Sequence, residues 1–174
     1  MRLFFKERPF SWDLDYDIFY ENETKAYHVK NEQIKKRLWN VTLYNRNDME
    51  IGKIERKESL FGGEKYTIYF DDREIGSIEK TYVHNKTRYL LKMVNWRIFG
   101  LIPSWEYDIL DDDAIVAHAG VEGSPYEGKG NFMLEIYYEN SESMIVLACL
   151  GMEAANAKLA EKEKKRLEKK LHGK

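Results

Sequence analysis

Ser143-Met144-Ile145-Val146-Leu147-Ala148-Cys149-Leu150-Gly151-Met152 is the stretch whose reading decides the fold. From Met144 to Met152, nine consecutive residues carry no charge and no strong hydrogen-bonding side chain. Asn140, Ser141 and Ser143 upstream offer side-chain oxygens for a helix N-cap, and Glu142 suits the positive end of a helix dipole. Downstream, Glu153-Ala154-Ala155-Asn156-Ala157-Lys158-Leu159-Ala160 continues in strong helix formers. The β-branched pair Ile145-Val146 leaves a strand open on periodicity alone; the Ala and Glu that follow tip the reading to helix. A helix that is apolar on every side must be enclosed by protein or lipid. A membrane span needs about 20 apolar residues, and this run is less than half as long. The expectation is a helix over about 142–155 buried inside the protein, with Met144, Ile145, Leu147, Leu150 and Met152 as its core side chains. A core helix of some other α+β fold is the alternative.

The chain of 174 residues has room for one domain, or for one domain with a tail. Its 43% apolar and 14% aromatic residues suffice for a sizeable core, and 33% charged residues for a solvated surface. The opening Met1-Arg2-Leu3-Phe4-Phe5-Lys6 lacks the sustained apolar region of a signal peptide, so a cytoplasmic location is expected. The single cysteine, Cys149, lies within the apolar run and reads as a small buried hydrophobe. The net charge of −2 is divided unevenly. Residues 156–174 hold eight of the 28 basic side chains and three of the 30 acidic ones; the rest of the chain holds 20 and 27. An acidic body disfavours nucleic acid. The division at 155/156 separates a body from a charged extension with helical propensity, read as solvated, with a partner-binding or membrane-surface helix as the alternative.

Before the apolar run, one pattern recurs. Large apolar residues alternate at Tyr16, Ile18 and Tyr20; at Trp39, Val41 and Leu43; at Tyr66, Ile68 and Phe70; at Trp105, Tyr107 and Ile109; and at Phe132, Leu134, Ile136 and Tyr138. Period two marks a strand with one buried face. Each run meets a polar turn, such as Asn45-Arg46-Asn47-Asp48 or Asp71-Asp72-Arg73, and most return as a second strand. Two returns nearly coincide: Ile51-Gly52-Lys53-Ile54-Glu55 and Ile75-Gly76-Ser77-Ile78-Glu79. In the fifth unit the apolar helix replaces the return. Further strands are expected at Arg2–Lys6, Arg88–Val94 and Trp96–Phe99, with connections at Phe61-Gly62-Gly63, Gly100–Pro103 and Gly123–Gly130. Roughly a dozen strands with one apolar face tend to curl and close, which removes sheet edges. The expected fold is mainly β within the α+β class: an antiparallel β-barrel of about twelve strands enclosing the C-terminal hydrophobic helix.

Four segments follow one another along the chain: Leu3-Phe4-Phe5-Lys6 with Phe10-Ser11-Trp12; the hairpins with Ile-Gly-x-Ile returns; Asn95-Trp96-Arg97-Ile98-Phe99-Gly100; and Phe132-Met133-Leu134-Glu135-Ile136 followed by the apolar helix. In the order of these four, the chain resembles the LURP-one-related branch of the tubby C-terminal-like superfamily, which is related to the scramblases. Together they span about residues 1–155. The resemblance implies a closed barrel of twelve antiparallel strands threaded by a hydrophobic helix. It also implies a link to membranes, since tubby proteins bind phosphoinositide head groups through a basic pocket.

Chemistry-bearing motifs are sparse. His118 near Asp111, Asp112 and Asp113 is the best metal suggestion, but consecutive acids lack the alternation and glycine of a calcium loop. A surface turn is the favoured reading. His28, His84 and His172 show no ligand spacing, and Glu106/Asp108 reads as a solvated strand face. No P-loop, nucleophile elbow or dinucleotide fingerprint is present. A filled barrel leaves no interior site for a small molecule. The expectation is therefore a non-enzymatic binding or scaffold module without cofactor or metal. It would meet a protein partner through barrel-rim loops or the extension. The alternative is a peripheral protein on anionic membrane surfaces, with candidate lipid contacts at Lys35, Lys36, Arg37, Lys162, Lys165, Arg166 and Lys169.

Overall fold

A computed structural model describes residues 1–5, 15–35, 38–58, 64–83, 86–93, 95–122 and 131–156. It contains β1 (Arg2–Phe5), β2 (Tyr16–Tyr20), β3 (Lys25–Lys35), β4 (Leu38–Asn45), β5 (Glu50–Glu58) and β6 (Glu64–Phe70). There follow β7 (Arg73–Val83), β8 (Lys86–Lys92), β9 (Trp96–Leu101), β10 (Glu106–Asp111), β11 (Ala114–Glu122) and β12 (Asn131–Ile136). Helix α1 covers 142–156. Every strand pairs antiparallel with its neighbours in one sheet of order β8-β7-β6-β5-β4-β3-β2-β1-β12-β11-β10-β9. β1 is the keystone: Leu3 stands between Tyr20 of β2 and Leu134 of β12, joining the first hairpin to the last strand. The two ends of the sheet, β8 and β9, meet through a single bridge, Met93↔Trp96, so the wall closes with one unladdered seam.

Helix α1 runs down the axis of this wall. Every residue from Ile145 to Asn156 is buried. Facing it are the inward residues of the alternating strands, including Leu3, Ile18, Val29, Leu43, Ile54, Ile68, Ile78, Ile109 and Leu134, all fully or nearly fully buried. Near the end where the helix leaves, Phe132 stacks edge-on against Phe5 at 4.9 Å and against Trp105 at 5.0 Å, geometries that aromatic quadrupoles favour.

The glycines of the two near-identical returns are explained by this packing. A Cβ on Gly52 would lie 2.6 Å from Leu147 Cδ1 and 2.6 Å from the Tyr69 carbonyl oxygen. A Cβ on Gly76 would strike Met93 and the Lys92 carbonyl. Gly151 answers from the helix side, where a Cβ would meet Ile78 Cδ1 at 2.6 Å. The Asp71-Asp72 turn has both residues at positive φ, 48° and 58°, the conformation that matches strand twist in a two-residue hairpin.

Several expectations need correction. Trp105 precedes β10 instead of opening it: it sits at φ 60° after a 3-10 turn at Ile102–Ser104, buried against Phe132. That turn begins inside the expected Gly100–Pro103 connection, of which Gly100 and Leu101 still belong to β9. Tyr138 does not continue the inward row, because β12 stops at Ile136 and the chain bends into a 3-10 turn at Glu139–Ser141; Tyr138 is exposed. Lys35, a candidate lipid contact, is the last residue of β3. Phe10-Ser11-Trp12, Phe61-Gly62-Gly63, Gly123–Gly130 and the extension from 157 onward lie outside the described residues.

Gly52→Ala should cost about 1–3 kcal/mol, because the Tyr69 carbonyl cannot retreat from the new methyl. Gly151→Ala should instead couple favourably with Ile78→Val, by about 0.5–1.5 kcal/mol, since valine lacks the offending Cδ1. Urea melts of the four-member cycle measure this; strict additivity would show that the helix does not press on β7.

Candidate functional site: the barrel rims and outer wall

Both ends of α1 are tied to the wall by polar side chains. At the entry end, Glu142 accepts hydrogen bonds from the hydroxyls of Tyr27 at 2.8 Å and Tyr20 at 3.3 Å, and Ser143 Oγ lies 3.3 Å from the Tyr27 hydroxyl. Halfway down, the Tyr107 hydroxyl lies 3.2 Å from Cys149 Sγ. Burial pushes the Cys149 thiol well up. At the exit end, Lys80 Nζ donates to the Ala155 carbonyl at 3.0 Å. Lys80 also lies 4.0 Å from Glu64, which faces Arg56 at 3.8 Å and accepts from the Tyr66 hydroxyl at 2.9 Å. Glu153 accepts from the Tyr16 hydroxyl at 3.2 Å.

Sequence reasoning missed this buried group of Arg56, Glu64, Lys80 and Glu153. A signal was present: Arg56 shares strand parity with Ile54, and Lys80 with Ile78, so both were placed inward by alternation. Charges at inward positions survive only when paired and hydrogen-bonded.

The outer wall carries two matched pairs. His28 Nδ1 lies 2.8 Å from Asp17 Oδ1 across β2–β3, and His118 Nδ1 lies 2.8 Å from Asp108 Oδ1 across β10–β11. His118 Nε2 is 3.4 Å from Glu106. The expected neighbourhood of His118 with Asp111, Asp112 and Asp113 is thus corrected. The acids close the β10–β11 turn, with Asp113 paired to Arg97 at 2.9 Å, while register hands His118 the Glu106/Asp108 face. Gly120 leaves room for this contact; a Cβ there would lie 3.1 Å from His118 Nε2. His84 and His172 lie outside the described residues. Among the described residues, no three His, Cys, Asp or Glu side chains form a metal-holding group. A groove of about 370 Å³ at the turn rim is lined by Glu50, Lys53, Tyr69, Asp71 and Asp72, with Lys53 Nζ 5.4 Å from the Tyr69 ring centre.

Of the candidate lipid contacts, Lys35 stands at the exit rim. The register runs Lys35↔Leu38↔Lys57↔Lys65, one step from the row that leads to Lys80 and the end of α1. Lys36, Arg37, Lys162, Lys165, Arg166 and Lys169 lie outside the described residues. Lys57 and Lys65, exposed and directly opposed across β5–β6, extend the basic rim, a pairing that only the register reveals. Each keeps a nearby acid: Glu55 at 3.6 Å from Lys57, Glu74 at 3.8 Å from Lys65. Among the described residues no helix is long and apolar enough to cross a membrane.

Twelve antiparallel strands wrapped around a C-terminal apolar helix form the architecture that the resemblance to tubby-like proteins implied. A family model described as LURP-one-related matches residues 1–153. The chain belongs to the LURP-one-related family. No curated protein and no solved structure matches it.

Burial is the leading cause that raises the phenols of Tyr16, Tyr66 and Tyr107 above the ordinary value. The unfolded chain releases these protons near pH 10 and the folded protein does not. Stability is therefore complete below about pH 10 and falls above it, by about 1.4 kcal/mol per pH unit for each such tyrosine. Urea midpoints measured from neutral to strongly alkaline pH should fall steeply, and Tyr107→Phe should flatten the slope by one proton.

Proposed function

We propose that this protein is a non-enzymatic binding module that holds another protein at the exit rim of its barrel. The single observation that supports this most is the occupied axis, where α1 places buried residues from Ile145 to Asn156 and leaves the rims and wall for recognition. The two rims differ in their longest connections. At the entry rim, strands β4–β5, β6–β7 and β10–β11 are joined by four, two and two residues. At the exit rim, β3–β4 and β7–β8 are joined by two residues each, but ten separate β1 from β2, five separate β5 from β6, and eight separate β11 from β12. Long connections on a rigid scaffold are where binding residues concentrate. Affinity capture from the native cell with the full chain is expected to recover one partner at near-equal amounts, lost or weakened when residues 157–174 are removed. Absence of any stoichiometric partner from both forms would overturn the reading.

A second reading rests on Lys57 and Lys65, opposed at one rim, with the strand position of Lys35 in the same row of the register. It makes that rim a contact for anionic lipid head groups, with each cation near such a surface contributing about 1 kcal/mol. Co-sedimentation with phosphatidylserine vesicles at low salt should exceed that with phosphatidylcholine vesicles and drop for Lys57→Glu/Lys65→Glu. Equal sedimentation with both vesicles removes this reading.

A further inference from the structure

We propose that the seam between β8 and β9 docks, as an added strand, an extended segment of a partner protein in which every second residue, those of one face, is in turn acidic and apolar. This rests on the protein-binding reading above and gives it a surface and a partner chemistry. β8 and β9 leave a tight turn, in which the Trp96 amide donates to the Met93 carbonyl at 2.7 Å, and beyond the Met93↔Trp96 bridge no ladder joins them among the described residues. Among the described residues each strand therefore has an edge with no ladder, the backbone template to which a further strand adds. Gly100 lies within β9 yet is exposed, at φ 132°. A Cβ there would strike Glu106 O and Tyr107 Cα of β10. β9 is thus pressed against β10 on one side and, among the described residues, has no ladder on the other.

The seam is backed from within. Asn156 Nδ2 of α1 donates to the Ile102 carbonyl at 3.3 Å, and the Tyr89 hydroxyl of β8 lies 3.5 Å from Asn156 Oδ1. A docked segment would lie along the outside and leave the axis filled.

The lips of the seam define the occupant. Strand alternation sets Arg88, Leu90 and Lys92 on the outer face of β8 and Arg97, Phe99 and Leu101 on that of β9. Leu90 is 51% exposed, Phe99 74% and Leu101 65%. An exposed apolar cluster of this kind, edged by charge, marks an interaction site. Lys92 is paired with Glu79 at 2.8 Å and Arg97 with Asp113, whereas Arg88 has no ion-pair partner among the described residues. Cross-strand neighbours on such a face reward opposite charges and matched apolar groups. An inserted strand that places acids beside the three cations and apolar side chains beside Leu90, Phe99 and Leu101 satisfies both. A second β8–β9 edge, or the basic 157–174 segment, would bring like charges together.

The test uses fluorescence anisotropy with the full chain and three labelled octapeptides: Glu-Thr-Val-Thr twice over (the Glu-Val peptide), Lys-Thr-Val-Thr twice over (the lysine peptide), and the Glu-Val peptide with a central proline; the four-residue period puts Glu and Val in turn on one face of the strand. The Glu-Val peptide is expected to bind, with the lysine and proline peptides at least about tenfold weaker. Arg88→Glu and Phe99→Ser, both on exposed side chains, should each weaken Glu-Val binding about fivefold or more. Circular dichroism confirms that the variants fold. No binding of the Glu-Val peptide up to about 1 mM, or equal binding by wild type and Arg88→Glu, overturns the proposal. If the two variants abolish sedimentation with anionic vesicles and leave peptide binding unchanged, the surface belongs to a membrane and the proposal falls. Capture of a stoichiometric native partner equally by wild type and both variants would sink the seam alone and keep the protein-binding reading.

Discussion

A helix with no polar face cannot stand in water, and the rest of this molecule is arranged to satisfy that constraint. Residues from Ile145 to Asn156 are buried on every side, so the wall has to go all the way round. A ring of strands does this because each contributes a row of inward side chains while its backbone is paired on both sides. The gross stabilisation from burying six large helix side chains, about 9–18 kcal/mol, is of the order of a domain's whole net stability. Wall and helix must therefore form together.

Enclosing a helix also limits what the wall can be made of. Where α1 comes closest, the wall gives up its side chain at Gly52 and the helix gives up its own at Gly151. At the mouth near Ala155 the wall supplies charge in place of hydrocarbon. Lys80 reaches the Ala155 carbonyl, and Arg56 and Glu64 gather around it, buried charges that are tolerated because they are paired and hydrogen-bonded. The interior is thus greasy along its length and polar at both mouths, with Glu142 and its tyrosines at the other end.

The filled axis leaves the rims and the outer wall as the accessible surface, and that surface is not uniform. Strand connections at one rim are two to four residues long; the other rim holds the three longest connections and the opposed lysines of β5 and β6. One place on the wall lacks a ladder. Between β8 and β9 the barrel is held by a single bridge on the wall and by Asn156 from within. These features, together with membership of the LURP-one-related family, frame the functional proposals.

Much of this was legible without coordinates, because the signals were local. Nine uncharged residues in a row declare an enclosed helix, and alternation at Tyr66-Ile68 or Phe132-Leu134-Ile136 declares strands, each within a few residues of chain. What was not legible depended on register and curvature. His118 looked toward Asp111–Asp113 along the chain, but pairing with β10 set it beside Asp108, ten residues away. Lys57 and Lys65 became neighbours only when β5 met β6, and Arg56, Glu64 and Lys80 became one cluster only when three strands curved around the helix end. The amino-acid sequence by itself determined the element types, the count of strands and the identity of the axial helix, since each follows from side-chain periodicity along the backbone. Tertiary structure alone decided which charges meet, where the seam lies and which rim carries the long connections, since cross-strand neighbours are chosen by register and closure, over distances that no local pattern encodes.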